Sequence, residues 1–585
     1  MKLKICFFLM LFLYLSIQLS AQRVLVPLND DVYDFLERMQ TKGLLKRYHD
    51  GIKPISRVDV RKYLKEIEAN QQHDDLLEFE QKLLDEYSKE FSYEQKFKIQ
   101  DKHEENFLEK FIELFGDEDD KDSDVKKEQW KAFKFPYNFY SGESIISFEP
   151  KFQAAYQINS SDTSTFAENY QRLTGGGYIY GYLGDKIGFS FYGVNNAVRG
   201  NEFYVLKIDS PQQGIGVQHK RGDNYYYEEV DAALSFSAKY ADITIGRFSN
   251  YWGCGHTGSI VLSNKAPSYP QVMLSAKFSN WLRFVYFHGW LESNIRDDST
   301  SYLIPAGEDE YFERELYKKK YVAAHRLEFS PSSRFTLGLS ELLYYGERDP
   351  ELVYFIPIIL FWSAQRYAND QDNELIGIDY EWIPWNGIKT YGSLLIDEIS
   401  LSKMFDKENS HNYIAYQLGL YFVDLVVNGL DLRSEYTHLN PWVYTHKFPI
   451  NEVSSDDYWM GYWTGQNADN LYLGAEYRFN SKLKFSADYS LYRKGAQDSI
   501  KHQYEIPPVE KFLYGHQYTK QTIGLDVQYE MLPQLVAEFG YTFTDCNVNE
   551  ENIHKAEQGE YVNPVYYRSD FTKSTISIVL SWRFN

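Results

Sequence analysis

Apolar and polar residues alternate with a period of two from about residue 135 onward, and this feature constrains the fold most. In the final segment one face is apolar throughout and the other is mostly small and polar; the apolar positions are Ile576, Ile578, Leu580, Trp582 and Phe584. The pattern recurs at 376–382, 471–479 and 523–529, with charged residues on the opposite face. Successive side chains of a strand point to opposite faces, so the pattern predicts many strands between an apolar and a polar environment.

Aromatic residues distinguish the two folds that such strands could build. A soluble sandwich turns its apolar faces inward, whereas a membrane barrel turns them toward lipid and places aromatic girdles at both interfaces. Phe, Trp and Tyr make up 17% of the chain, and the final strand ends on Trp582 and Phe584. This favours an all-β transmembrane barrel. The ending also resembles the C-terminal signal of outer-membrane barrels, although Asn585 follows the last aromatic residue.

The N-terminus predicts export. Lys2 and Lys4 precede an apolar run from Cys6 to Leu15, and small residues suited to cleavage follow at 20–22. The run is shorter than the roughly 20 residues that a spanning helix needs. We therefore expect a signal peptide at residues 1–22 of a Gram-negative outer-membrane protein. The sequence leaves open whether Cys254 and Cys546 pair.

Residues 23–130 precede the barrel, and their spacing is helical from Asp30 to about Phe115. The first helix carries Val32, Phe35, Leu36 and Met39 and ends at Gly43. Ser56 is the expected cap of a second helix, a third lies near Leu76–Tyr87, and a fourth runs through Phe107, Phe111 and Leu114. The charged stretch 117–128 predicts a solvated linker. We predict a small α-helical periplasmic segment with a docking role.

Residues 131–585 remain for the barrel. A strand of about 10 residues with its share of turns and loops averages about 25 residues, which predicts about 18 antiparallel strands. A barrel of this width has a lumen unless loops or side chains fill it. The expected extracellular loops are the long irregular stretches 195–227, 293–319, 440–470 and 495–517.

Several functional classes have little support in the sequence. The formal net charge of −22 argues against nucleic acid as a partner. No cage spacing for a metal ion is visible, and we expect no cofactor. His256 is a conceivable general base, but no Ser or Cys nucleophile motif accompanies it, so we expect no enzyme.

One segment is too unusual for a generic barrel. It reads Gly246-Arg247-Phe248-Ser249-Asn250-Tyr251-Trp252-Gly253-Cys254-Gly255-His256-Thr257-Gly258, then continues to Leu262-Ser263-Asn264-Lys265-Ala266-Pro267. A Gly-Arg strand end, a Trp-Gly-x-Gly turn and a Leu-Ser-Asn-x-Ala-Pro run resemble the signature of the Wzi-type capsule-assembly family. The blocks at 26–30, 54–57, 325–329, 373–379, 397–398 and 435–436 are similar to family blocks in the same order. Cys254 stands where that family would have proline.

The resemblance implies a surface protein that binds capsular or other exported polysaccharide and organises its attachment without polymerising it. The outer-membrane lipid and the polysaccharide-export machinery are its implied partners. Sugars stack on aromatic rings, so the binding candidates are the ring-rich loop residues Tyr226, Trp442, Tyr444, Trp459 and Trp463. The alternative role for these rings is girdle or loop packing.

The signature residues have structural and binding interpretations. Gly253, Gly255 and Gly258 permit tight turns and could fold the loop inward as a plug. Arg247 and Asp397 could pair across the lumen or face a glycan, and Asn264 and Pro267 complete the motif. The main rival function is a diffusion porin or a substrate-specific channel with an open lumen.

Overall fold

The computed structural model describes residues 23–71, 75–91, 137–141, 144–184, 187–200, 207–216, 218–238, 240–305, 311–368, 371–398, 412–497, 510–532, 534–561 and 566–582. The helices are α1 (Val32–Lys42), α2 (Arg57–Asn70), α3 (Glu78–Glu90), α4 (Phe361–Ala364) and α5 (Glu550–Glu557). The strands are β1 (Ile52–Lys53), β2 (Tyr137–Ser141), β3 (Ser144–Ser161), β4 (Tyr170–Leu183), β5 (Ile187–Arg199), β6 (Gln218–Arg221), β7 (Asn224–Ser237), β8 (Ala241–Phe248), β9 (Tyr251–Trp252), β10 (Tyr269–Ser279), β11 (Leu282–Leu291), β12 (Tyr302–Pro305), β13 (Tyr311–Arg314), β14 (Lys320–Ser332), β15 (Phe335–Gly346), β16 (Asn373–Trp385), β17 (Ile388–Glu398), β18 (Tyr413–Val423), β19 (Leu430–Leu439), β20 (Ser454–Ser455), β21 (Tyr458–Trp459), β22 (Ala468–Arg478), β23 (Leu483–Lys494), β24 (Tyr518–Leu532), β25 (Leu535–Val548) and β26 (Phe571–Trp582).

Eighteen antiparallel strands form a closed barrel. The short strands β2 and β6 add to the edges of β3 and β7 and are not part of the continuous ring. The ring closes where β26 pairs with β3, which places Trp582 opposite Phe152 and Lys573 opposite Ser161. The predicted fold class and the predicted strand number are confirmed.

The alternation in the sequence corresponds to the two faces of the wall. Ile576, Ile578 and Leu580 lie on the outside and are 39%, 52% and 37% exposed. The charged positions at 379 and 381 face the lumen, where Asp379 is 2% and Glu381 is 4% exposed. Lipid outside and a polar interior explain both halves of the pattern.

The two ends of the barrel differ in their connections. At one end, tight turns join neighbouring strands, for example at 280–281, 333–334 and 386–387. At the other end, connections such as 249–268, 292–319, 347–372 and 440–467 are long. We call these the short-turn end and the long-loop end. The expected loop at 195–227 is shorter than predicted, because β5 continues to Arg199 and β7 begins at Asn224.

The first three predicted helices are confirmed. Gly43 ends α1 with a φ of 86°, which glycine adopts without a Cβ penalty. Ser56 caps α2 and accepts a hydrogen bond from the Asp59 N–H at 3.1 Å. The predicted fourth helix, the charged linker at 117–128 and the signal peptide lie outside the described residues. In the part of the chain that is described, no helix has both the length and the apolar character to cross a membrane.

The helical segment packs into the short-turn end of the lumen. The Gly387 N–H, in the turn between β16 and β17, donates to the Thr41 carbonyl at 2.7 Å. Lys82 on α3 donates to Ser481 in the turn between β22 and β23 at 3.0 Å. The contacts reach two separate hairpins of the ring, so the helices pack into this mouth.

Buried ion pairs fix α1 to the wall. Lys389 on β17 is fully buried and lies 2.9 Å from Glu37 and 3.2 Å from Asp50. Arg433 on β19 lies 2.8 Å from Glu37. A buried pair is strongly destabilised when one partner is removed, so these contacts specify how α1 docks.

Candidate functional site

The signature segment is a lumen-filling loop. Residues 249–268 connect β8 to β10 at the long-loop end and turn inward instead of outward. Within this segment β9 pairs with β1 of the helical segment, with Trp252 opposite Ile52. The Gly253 N–H donates to the Gly51 carbonyl at 3.1 Å. Material from both ends of the barrel therefore meets inside the lumen in one small sheet.

The signature glycines occupy positions with little room for a side chain or with positive φ. Gly253 has a φ of 109° and Gly258 a φ of 130°, in the region that favours glycine. A Cβ on Gly255 would collide with the Gly258 carbonyl oxygen and with the Gln417 side chain. Trp252 is fully buried and makes an edge contact with Phe287 at 5.1 Å. The motif therefore favours a tight inward turn around the buried indole of Trp252.

Glu435 on β19 anchors the tip of this loop. Its carboxylate accepts the backbone N–H groups of His256 at 2.6 Å and Thr257 at 2.9 Å. Tyr391 donates to it at 2.9 Å and Gln417 at 3.1 Å. Glu435 is only 1% exposed, so a buried charge is satisfied by donors from the loop and two neighbouring strands.

His256 borders a cavity and has no nucleophile beside it. His256 is exposed toward this cavity, and desolvation by the surrounding lumen, followed by repulsion from Arg433, lowers the pKa of its imidazole. Its ring lies 5.3 Å from that of Tyr472. Across the described ranges, no histidine ring is hydrogen-bonded to a Ser or Cys side chain.

The remaining signature residues have separate partners. Arg247 is exposed and donates to Ser268 at 3.2 Å. Asp397 accepts the Tyr444 N–H at 2.6 Å, so the Arg247–Asp397 pair considered from the sequence does not form. Asn264 and Pro267 are half-buried within the inward loop. Cys254 and Cys546 are both free thiols.

Lys265, the variable position of the signature, also fastens a second loop. Its ammonium donates to the carbonyl oxygens of Ser210 at 2.9 Å, Gln212 at 3.0 Å and Lys207. Lys265 is 3% exposed. The signature loop thereby positions residues 207–212 inside the lumen.

Most of the predicted binding rings lie together in the lumen. Trp442 is 2%, Tyr444 0% and Trp463 9% exposed, and Trp459 is half-buried beside them. The Tyr444 hydroxyl donates to the Ile260 carbonyl at 2.6 Å, which joins loop 440–467 to the signature loop. Trp442 and Tyr444 have φ values of 71° and 74°, an uncommon conformation for bulky residues that tertiary contacts must impose. These rings pack the two loops together.

Tyr226 is separate from this cluster. It is 40% exposed on β7, while its neighbours Tyr225 and Tyr227 are 4% and 3% exposed on the lumen side. The side chain therefore lies on the outer face of the wall, where the strand also exposes Leu234 and Phe236.

A cavity that the sequence did not predict lies beside residues 207–212. It has a volume of about 390 Å³ and is bounded by β3, β4, β24, β25 and β26. We call it the cationic cavity, because its charged lining is Arg172, Lys207, Lys520 and Lys573 against Asp209 and Glu538. Tyr170, Tyr567 and Phe571 supply aromatic walls. In a chain with a net charge of −22, a lining with excess positive charge is a local exception.

The cationic cavity is organised around Asp209. This carboxylate accepts hydrogen bonds from Tyr567 at 2.6 Å and from Lys520. The Lys520 ammonium also lies over the Tyr567 ring, 5.7 Å from its centre. Arg172 donates to Gln153 at 2.7 Å. Rings and cations are thus held in place before any ligand arrives.

A second cavity of about 210 Å³ lies at the short-turn end between the helices and the wall. Its lining mixes both signs of charge, including Asp34, Asp431, Arg478 and Lys484. Among the residues that the structure describes, no cluster of three His, Cys, Asp or Glu side chains suited to a metal ion is found.

Comparison with known proteins gives the family. The family model "Capsule assembly protein Wzi" matches residues 119–558, well over half of the chain. The chain belongs to the Wzi capsule-assembly family. Among solved structures it is similar to Escherichia coli Wzi, described as an outer membrane protein involved in group 1 capsule assembly and as a carbohydrate-binding β-barrel. That match has 12% identity and a TM-score of 0.52, and it covers 95% of this chain and 99% of that one.

Two further solved structures match with lower scores. OccD3 of Pseudomonas aeruginosa matches at 8% identity and a TM-score of 0.39, covering 75% of this chain and 92% of that chain. OccAB2 of Acinetobacter baumannii matches at 11% identity and a TM-score of 0.39, covering 75% and 98%. None of the curated proteins matches the sequence.

Proposed function

We propose that this protein binds exported capsular polysaccharide at the long-loop end and organises its attachment to the cell surface, with the cationic cavity as the main contact. Short turns of bacterial outer-membrane barrels face the periplasm and long loops face the exterior. In that orientation the helical segment faces the periplasm, and the cationic cavity lies on the outer side of the internal plug. The arrangement of fixed cations beside aromatic rings carries this proposal.

The lining also supports a class of glycan. Aromatic rings accept the apolar faces of sugars, and guanidinium and ammonium groups pair with carboxylates. Arg172, Lys207, Lys520 and Lys573 outnumber Asp209 and Glu538. We therefore assign an acidic polysaccharide, whose binding weakens as salt screens these charges.

The plug argues against the rival channel function. The lumen is crossed by the β1–β9 sheet, and charged wall residues such as Arg326 and Lys389 are fully buried against neighbouring side chains. A diffusion porin needs a continuous water-filled path. The proposed role is binding without solute transport, and it assigns no catalytic step to any residue.

The first test compares a deletion strain with its parent for cell-attached and shed capsule. The proposal expects unchanged total polysaccharide with a larger share in the medium. Capsule that stays attached while uptake of a small solute falls would support the channel instead.

A second test locates the contact with purified protein and the host's purified capsular polysaccharide. The double variant Arg172→Gln/Lys207→Gln should weaken binding at least tenfold and reduce its salt dependence. The matched control Lys318→Gln/Lys319→Gln removes two cations from the loop 292–319, outside the cavity lining, and should bind as wild type does. Equal affinity of both variants would remove the cavity from the proposal.

A further inference from the structure

One long connection lies outside the barrel wall. Residues 351–368, between β15 and β16, form what we call the outer flap; it contains α4. Tyr354, Phe361 and Ala364 of the flap are fully buried. They cluster with Tyr286 of β11 and Leu343 of β15. On β11 the lumen-facing positions are the alternate ones, such as Phe287 against Trp252, so Tyr286 belongs to the outer face. The flap therefore bends back over the exterior of the wall.

The flap covers polar side chains that would otherwise face lipid. His325 on β14 and Glu341 on β15 point outward and form a pair at 2.9 Å. The N–H groups of Phe361 and Trp362, at the start of α4, each donate to Glu341 at 2.9 Å. Charged groups on the lipid face of a barrel are destabilising near the bilayer centre and less so toward the interfaces. Because the flap supplies hydrogen-bond donors to Glu341 and covers both side chains, the wall tolerates a polar cluster on its outer face.

The opposite side of the flap is apolar and exposed. Leu352 and Ile358 are each 82% exposed, Leu360 is 64% and Trp362 is 52% exposed. From Leu352 to Trp362 the sequence contains no charged residue. A contiguous apolar surface of this kind marks a contact with a membrane or with another protein.

We propose that the outer flap is embedded in the outer leaflet and that its exposed side chains contact lipid acyl chains. The exposed flap surface is continuous with the lipid-facing wall, where Leu339 of β15 is 44% and Ile376 of β16 is 40% exposed. Arg366 lies over the Trp362 ring at 3.9 Å, a cation beside an amphipathic ring as found at membrane interfaces. Where the flap covers β11, β14 and β15, the flap and not the strands provides the surface that contacts lipid.

The test places a nitroxide spin label on Ile358→Cys in protein reconstituted in lipid bilayers. Oxygen concentrates in lipid and a water-soluble nickel chelate does not, so their relative access to the label reports its surroundings. Ile578→Cys on the outer face of β26 is the lipid reference, and Glu551→Cys, at a side chain 79% exposed on α5, is the water reference. Cys254 and Cys546 are buried, and the parent protein treated in parallel measures any label they take up.

The proposal expects the oxygen-to-nickel access ratio of Ile358→Cys to match that of Ile578→Cys and to exceed that of Glu551→Cys at least fivefold. A ratio equal to that of Glu551→Cys would overturn it. The measurement is then repeated in native outer-membrane fragments with the same three variants. A label at 358 that neither reagent reaches, with Ile578→Cys still open to oxygen, would also overturn it, because a protein partner would then cover the flap.

Discussion

At the scale of residues, buried polar side chains fasten the plug. Glu435 accepts donors from the signature loop and from β17 and β18, and Lys265 donates to three carbonyls of residues 207–212. The sequence indicated that the signature was special, and its glycine roles were predictable because tight turns require them. The cationic cavity was not predictable, because its residues are single cations from separate strands and a loop, without a local motif.

Replacing Glu435 with Ala should destabilise the protein by about 2–4 kcal/mol, because several buried N–H and O–H donors lose their acceptor. Urea unfolding in lipid bilayers, followed by tryptophan fluorescence, measures this loss. Glu551→Ala is the control: that carboxylate is 79% exposed and pairs with Lys555 on the surface of α5, so we expect no measurable loss of stability. Equal effects of both variants would show that Glu435 does not anchor the loop.

His256 should make the stability of the folded protein depend on pH. The folded protein holds the pKa of His256 below its ordinary value, because the surrounding lumen desolvates the ring at the cavity wall and Arg433 repels its charged form. Below about pH 6.5 the unfolded chain therefore binds a proton that the folded chain does not, and stability rises with pH in that range. The unfolding midpoint of wild type should fall more than that of His256→Gln between pH 7 and pH 4. If the unfolding midpoints of the two proteins change with pH by the same amount, this explanation is contradicted.

At the scale of elements, α1 and the signature loop are inserts from opposite ends that meet at the β1–β9 pairing. The helices α1, α2 and α3 were predictable because their apolar spacing and end signals agree. The outer flap was not recognised, because the run from Leu352 to Trp362 is apolar without alternation and shows neither a strand nor a helix period. Its conformation depends on the wall that it covers.

Gly255→Ala should displace the signature loop. A Cβ there meets the Gly258 carbonyl and Gln417, and such overpacking costs about 1–3 kcal/mol. Gly175→Ala on β4 is the matched control, because a Cβ added there would have no neighbouring atom within 4 Å and its φ is ordinary. Thermal unfolding of both variants should show a lower midpoint for Gly255→Ala alone.

Lys389→Met should loosen the docking of α1. The substitution leaves Glu37, Asp50 and Glu381 without their shared buried cation, a loss of about 3–5 kcal/mol. Limited proteolysis within residues 23–91 should be faster in this variant than in Lys482→Met, which removes an exposed lysine at the same end. Identical proteolysis of the two proteins would argue that the ion pairs do not hold the helix.

At the scale of the whole molecule, the barrel is a closed wall with its interior filled from both ends. The orientation of the faces followed from the period of two, because lipid and lumen impose opposite polarities. The strand number followed from the length of chain that remains for the barrel. Whether the lumen was open did not follow, because loops of the same composition can extend outward or fold inward.

Wild-type protein in planar bilayers should therefore conduct ions only weakly and without long-lived open steps. The double variant Gly255→Ala/Lys389→Met, which weakens both inserts, should show frequent openings. Steady conductance of the wild type at the level of a general porin would contradict the filled lumen.

The pairing of β26 with β3 also makes closure of the barrel depend on its eighteenth strand. These strands are more than 400 residues apart, so their contact is among the least local in the molecule and carries a high loop-closure cost. Until the eighteenth strand is in place, β3 and β25 present unpaired edges that invite aggregation. A prematurely terminated polypeptide is therefore exposed to cellular quality control, and only a chain that includes β26 can satisfy every backbone group at the seam.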